Sequence, residues 1–255
     1  MSNMAQPEGR ASEIKTAQSP LKESSTFNGD SQEVQTPENL YHIMMKQSHL
    51  NKDVNSAVEK VRVCATYTSL PAAKAAAHRC LFDAGYEQEW FSEFDAKLNG
   101  ASASRRRANG VVVYAVAPDK TTFTISIATT PNLSGYEANR DGKVMLDLYF
   151  VLQTTVDYSR DEDGEERETN VEGCFGSYEE AWKYAQEVLL CESDGVTKSS
   201  FADYHAAAAG ERDCGYGENV IVHAVGQNGV NFLVSVVKAQ EMEAVRLAEA
   251  AMRIR

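Results

Sequence analysis

No apolar run in this chain of 255 residues approaches the roughly 20 needed to cross a bilayer as a helix, so a membrane span is not expected. Residues 1–10 lack the apolar stretch of a secretory signal, and export by that route is not expected either. Cysteine is sparse and unpaired: Cys64, Cys80, Cys174, Cys191 and Cys214 make an odd set with no close spacing. That argues against a disulfide framework and for free thiols in a reducing compartment. The five histidines, His42, His49, His78, His205 and His223, include no pair spaced as metal ligands on one element. There is no Gly-x-Ser-x-Gly elbow, and sequence order assembles no Cys–His or Ser–His–Asp set. No catalytic residue, metal or cofactor is therefore assigned. Positive charge is also short, 25 Lys and Arg against 37 Asp and Glu, for a net charge of −12. Nucleic acid and anionic membrane surfaces are unfavoured partners on that average. The one basic run, Arg105-Arg106-Arg107, is shorter than those that mark import or nucleic-acid binding.

What the chain does have is a copy of itself. Residues 40–81 match residues 148–189 without a gap at an offset of 108, and residues 110–127 match 219–236 at an offset of 109. Leu40-Tyr41 lies over Leu148-Tyr149, Val63 over Val171, Ser69 over Ser177 and Leu81 over Leu189. Val111, Val113, Ala115, Phe123 and Ser126 recur as Val220, Val222, Ala224, Phe232 and Ser235. A period near a hundred residues is too long for a solenoid and suits a duplicated small domain.

The second copy reads clearly. Residues 148–158 are dense in Val, Thr and Tyr, Asp163-Gly164 signals a tight turn, and residues 168–175 return with period two. Asn55-Ser56 takes the turn position in copy one. Ser177 and Glu180 have capping-box spacing, and Tyr178, Ala181, Trp182, Ala185, Val188 and Leu189 follow on one helical face. In copy one Ser69 takes the cap, with Leu70, Ala73, Ala77 and Leu81 on the stripe. A looser helix is expected over residues 88–98 and 199–209. Strand pairs are expected at 111–117 with 123–129 and at 220–226 with 231–237, the latter turning at Asn228-Gly229. The apolar runs 220–222 and 232–234 suggest strands buried on both faces.

These elements predict an α+β fold, a tandem duplication of a β-β-α-α-β-β unit with mostly antiparallel sheets and helices packed on them. Residues 1–38, rich in Ser, Gln, Glu, Thr and Pro, are expected to be a disordered tail, with Ser19-Pro20 and Thr36-Pro37 as sites for proline-directed kinases. Residues 39–130 form the first unit, 131–145 a linker, 146–239 the second unit, and 240–255 a C-terminal helix with Ala244, Leu247, Ala248 and Ala251 on one face.

Chemistry is thinner. Aligning Gly164 with the glycine of an EF-hand loop puts Asn170 where a bidentate Glu is required, so the acidic stretch 161–168 reads as a solvated hairpin tip. Cys214-Gly215-Tyr216-Gly217 is half of a glycine-rich phosphate loop, but Val220 replaces the third glycine and a strand follows. His42 lies over Phe150 and His223 over Tyr114, as packing residues on a sheet would. Trp182 reads as core. The ligand-binding candidates are Trp90, Tyr216 and His223.

The stretches Leu148-Tyr149-Phe150-Val151-Leu152-Gln153-Thr154-Thr155, Val171-Glu172-Gly173-Cys174-Phe175 and 216–225 resemble a group of uncharacterised filamentous-fungal proteins. The resemblance covers most of the second copy and, more faintly, the first. It implies an intracellular fungal protein and brings no activity, ligand or catalytic residue. The expectation is a soluble, cytoplasmic or nuclear, non-catalytic protein that binds a protein partner through its two similar units, with homo-oligomerisation left open. The alternative is a small-molecule-binding protein or enzyme with its pocket between the units.

Overall fold

The computed structural model describes residues 37–49, 60–97, 110–158 and 167–242. Arg105-Arg106-Arg107, the expected turns at Asn55-Ser56 and Asp163-Gly164 and all but the first residues of the expected C-terminal helix lie outside those residues.

The first unit contains β1 (Asn39–His49), β2 (Lys60–Tyr67), α1 (Leu70–Asp83), β3 (Glu93–Asp95), β4 (Val111–Val116) and β5 (Thr121–Pro131). The second contains β6 (Tyr149–Val156), β7 (Arg167–Phe175), α2 (Tyr178–Glu187), β8 (Asp203–Ala206), β9 (Val220–Val225) and β10 (Asn231–Lys238). Each unit makes one antiparallel five-stranded sheet, in the orders β2-β1-β5-β4-β3 and β7-β6-β10-β9-β8. Position for position these are the same order.

The likeness reaches the irregularities. A bulge at Cys64 in β2, opposite Ile43 and Met44, recurs at Glu172 in β7, opposite Val151 and Leu152. A second, at Val112 in β4, recurs at Ile221 in β9. Because a one-residue slip turns every later side chain to the other face, matching bulges keep both units in phase.

The expected second helix in each unit is absent. Residues 88–90 and 198–200 form single 3₁₀ turns, followed by the short edge strands β3 and β8. The unit is therefore β-β-α-β-β-β. Tyr204 packs against the core under α2, whereas His205, its neighbour in sequence, joins an aromatic cluster with Tyr216 and His223. That alternation has the period of a strand, and the bonds an exposed edge offers outweigh weak helical spacing. The tail boundary also moves: Asn132 Nδ2 donates to Pro37 O at 2.9 Å and Asn132 N to Glu38 O at 2.8 Å, so residues 37 and 38 belong with the fold.

The sheets lie face to face, each with its helix on the outside. In β1, Tyr41, Ile43 and Met45 pack toward α1, while Leu40 and Met44 face the second sheet. In β6, Tyr149 and Val151 pack toward α2, while Phe150 and Leu152 face the first. The shared layer draws equivalent residues from both units, Leu40 and Leu148, Met44 and Leu152, and sets His42 against Phe150 with ring centroids 5.1 Å apart. His42 and Phe150 occupy equivalent positions, and their contact is what an approximate two-fold axis passing between them gives.

Both helices are slim where they meet their sheets. Ala73, Ala76 and Ala77 of α1 and Ala181 and Ala185 of α2 are fully buried, allowing close approach. Ser177 accepts from Glu180 N at 3.2 Å, and its hydroxyl donates to the Glu180 carboxylate at 3.0 Å. Ser69 sits at the equivalent cap without a side-chain bond. Pro71 pre-sets the first turn of that helix instead.

Candidate functional site: a groove between the two sheets

The two sheets do not cover one another completely. β9 is buried almost throughout, but Leu233, Ser235 and Val237 of β10 are only partly buried on the face toward the first sheet. There a groove of about 970 Å³ opens. Its floor comes from the second unit, including Leu152, Thr154 and Thr169, and one wall is the start of β2, residues 60–62, from the first. The loop containing Tyr216 also borders it.

Five basic side chains line the groove, Lys60, Arg62, Arg167, Arg212 and Lys238, against one carboxylate, Glu218. Lys238 pairs with Asp147 at 2.7 Å, which holds its ammonium above its usual pKa, and Arg62 Nε donates to Gln240 Oε1 at 3.1 Å. Lys60, Arg167 and Arg212 pair with no carboxylate among the described residues. Arg167 Nε and Tyr178 Oη are buried and make no hydrogen bond. Such groups cost about 1–3 kcal/mol when left without a partner, so they are unusual in a finished surface.

The Tyr216 side is an aromatic cluster. Tyr216 stacks on His223 at 4.0 Å and packs on His205 at 4.9 Å. Asn231 Nδ2 donates to Gly229 O, which turns its carbonyl oxygen toward His223. His223 Nε2 therefore donates to Asn231 Oδ1 at 3.0 Å, leaving Nδ1 as a buried acceptor with no donor. His205 Nε2 bonds Asp203 Oδ2 at 2.9 Å, and that bond holds the Asp203 carboxyl below its usual range.

Of the three residues singled out from sequence, the structure brings Tyr216 and His223 together and places Trp90 elsewhere. Trp90 stacks on Tyr86 at 5.0 Å and packs edge-on to Phe91 in the first unit. His205 was visible in the sequence only as one of five histidines. The basic residues left no local signal, being scattered from position 60 to position 238 and gathered only by strand pairing.

Two further sites are structural in character. Cys64 and Cys80 meet beneath α1 at a second cavity of about 370 Å³. The Cys64 hydrogen bond, then burial, pushes the Cys80 thiol far above its usual pKa, and a thiol that holds its proton is a poor nucleophile. All five cysteines are free. His42 is fully buried, with Nδ1 2.9 Å from Thr66 Oγ1 and Nε2 2.7 Å from Thr130 Oγ1. A neutral imidazole donates from one nitrogen and accepts at the other, which satisfies both hydroxyls. Burial lowers the His42 pKa to about 4.

Among the described residues, no cluster of His, Cys, Asp and Glu could hold a metal ion, and no helix is long and apolar enough to cross a membrane. No family model matches the chain, and no curated protein or solved structure matches it.

Proposed function

We propose that this protein binds a small molecule in the groove where its two units meet, and acts by binding rather than by turnover. One observation carries the reading. On a chain of net charge −12, the groove gathers five basic side chains and one acidic one, drawn from both units. Charge of the minority sign collected in a concave site favours a ligand of the opposite sign. The centre of the interface is filled, and the opening lies at its end, so ligand binding leaves the shared core intact.

A second reading, docking of a protein partner, is favoured by the linker. Leu133, Met145 and Leu146 stand exposed there, with Leu133 92% accessible. Native mass spectrometry on protein captured from native extract separates the two. The wild type is expected to carry a small-molecule mass that Lys60→Glu/Arg167→Glu does not. The same mass on both proteins, or none on the wild type after incubation with total metabolite extract, would overturn the groove reading. Loss of a bound protein on Leu133→Ser/Leu146→Ser would favour the second.

A further inference from the structure

The strand registers order the face of the second sheet that carries the groove floor. His205, His223, Leu233, Thr154 and Thr169 are successive cross-strand partners, one from each strand of the second sheet. With strands about 4.8 Å apart, His223 and Thr169 are separated by roughly 14 Å. The row begins under a planar ring. Tyr216 covers both histidines and remains 45% exposed, held between Gly215 and Gly217, whose φ values of +89° and +145° favour glycine.

The row ends among anion-binding groups. Arg167 lies two residues before Thr169, hence on the same face, with its buried Nε unpartnered. Thr154 Oγ1 and Thr169 Oγ1 bond each other at 2.9 Å, so only one of their two protons is used and the other can donate into the groove. Lys60 stands on the wall supplied by the first unit. The long Arg167 side chain can close part of that backbone span, so a ligand that joins ring and cation need bridge only the remainder.

We propose that the groove's ligand is an anion bearing a planar ring, with the length of a nucleoside monophosphate. Its ring stacks on Tyr216, and its phosphate or carboxylate is held by Arg167, a threonine hydroxyl and Lys60. This rests on the groove being the binding site. Neither end suffices alone: aromatic stacking lacks the charge-assisted hydrogen bonds, and the anion without the ring loses the platform.

Isothermal titration of the full chain at low salt with AMP and UMP, against adenosine and ribose 5-phosphate, tests it. The two ring-bearing anions should bind saturably, and adenosine and ribose 5-phosphate at least roughly tenfold more weakly. Arg167→Gln and Tyr216→Ala should each weaken AMP by about tenfold or more with unchanged circular dichroism, while Tyr216→Phe retains it. No saturation by either ring-bearing anion, or AMP binding indifferent to both weakening substitutions, would overturn the assignment. If Lys60→Glu/Arg167→Glu still strips the co-purifying molecule in that case, the groove stands and only the ligand class falls. If it strips nothing, both fall.

Discussion

At the axis between the two units the first places His42 where the second places Phe150, and the exchange extends outward. Thr66 and Thr130, which satisfy the imidazole, stand over Cys174 and Ala239. The backbone is the same on both sides, down to the bulges, so the difference lies wholly in side-chain chemistry. A buried polar ring is tolerated where two hydroxyls arrive with it; where they do not, the position is apolar. One unit thus has a pH-sensitive centre and the other does not.

The helices differ in the same way. Trp182 of α2 packs on its sheet and its indole donates to Glu211 O at 3.2 Å, whereas the equivalent residue of α1 is Lys74, exposed to solvent. The β4–β5 and β9–β10 turns share hydrogen bonds, Lys120 N to Ala117 O and Gly229 N to Gly226 O. Yet Lys120 holds φ +70° where Gly229 holds +83°. One unit meets the turn with the residue suited to it, the other with strain.

The largest effect expected from this comparison is on acid stability. His42 titrates near pH 4 folded and 6.5 unfolded, so the unfolded chain binds the proton first as pH falls. The contribution is intact above pH 6.5 and lost on descending toward 4, roughly 3 kcal/mol in all. Writing the second unit's residues into the first, as His42→Phe/Thr66→Cys/Thr130→Ala, should remove that component from urea titrations at pH 7 and 4.5. An acid dependence equal to the wild type's would break the assignment.

Next in size is the helix pair. Trp182→Ala should cost about 2–4 kcal/mol, the lower end of large-to-small core substitutions because the ring is only partly buried. Lys74→Ala at the equivalent place should stay within about 0.5 kcal/mol. Equal costs in chemical denaturation would show that the two helices carry the same load despite their faces.

A smaller, opposite-signed pair lies at the turns. Lys120→Gly should raise stability by up to about 1 kcal/mol by releasing the left-handed strain, and Gly229→Ala should lower it by a similar amount. Two thermal melts decide this, and the same sign for both would refute it. The smallest effect concerns residues outside both units. Deleting residues 1–36 should leave the melting temperature within about 2 °C, since a loss of 1 kcal/mol shifts a chain of this size by roughly 2–4 °C.

Much of the fold was legible. The gapless repeat follows from Leu40, Val63, Ser69 and Leu81 meeting their counterparts, and period two in β7 or helical spacing in α2 follows from local side-chain order. The edge strands β3 and β8 were not, because three or four residues hold too few periods to tell a strand from a turn of helix. Of the groove, Tyr216 and His223 could be proposed, because an aromatic between glycines and a histidine in an apolar strand are local oddities. Trp90 stands in a segment of weak periodicity, so its local pattern does not place it in the core, and its ring serves the Tyr86–Phe91 cluster of the first unit.

By itself the sequence determined the internal repeat, the antiparallel hairpins and the position of each long helix, all consequences of backbone period acting over a few residues. Tertiary structure alone decided that His42 meets Phe150 across the axis, that Cys64 and Cys80 meet beneath α1, and that Lys60, Arg167 and Tyr216 line one groove. Those contacts depend on how two sheets slide and stagger when their apolar faces join. That stagger is set by packing summed over the whole interface, to which no short stretch of sequence is sensitive.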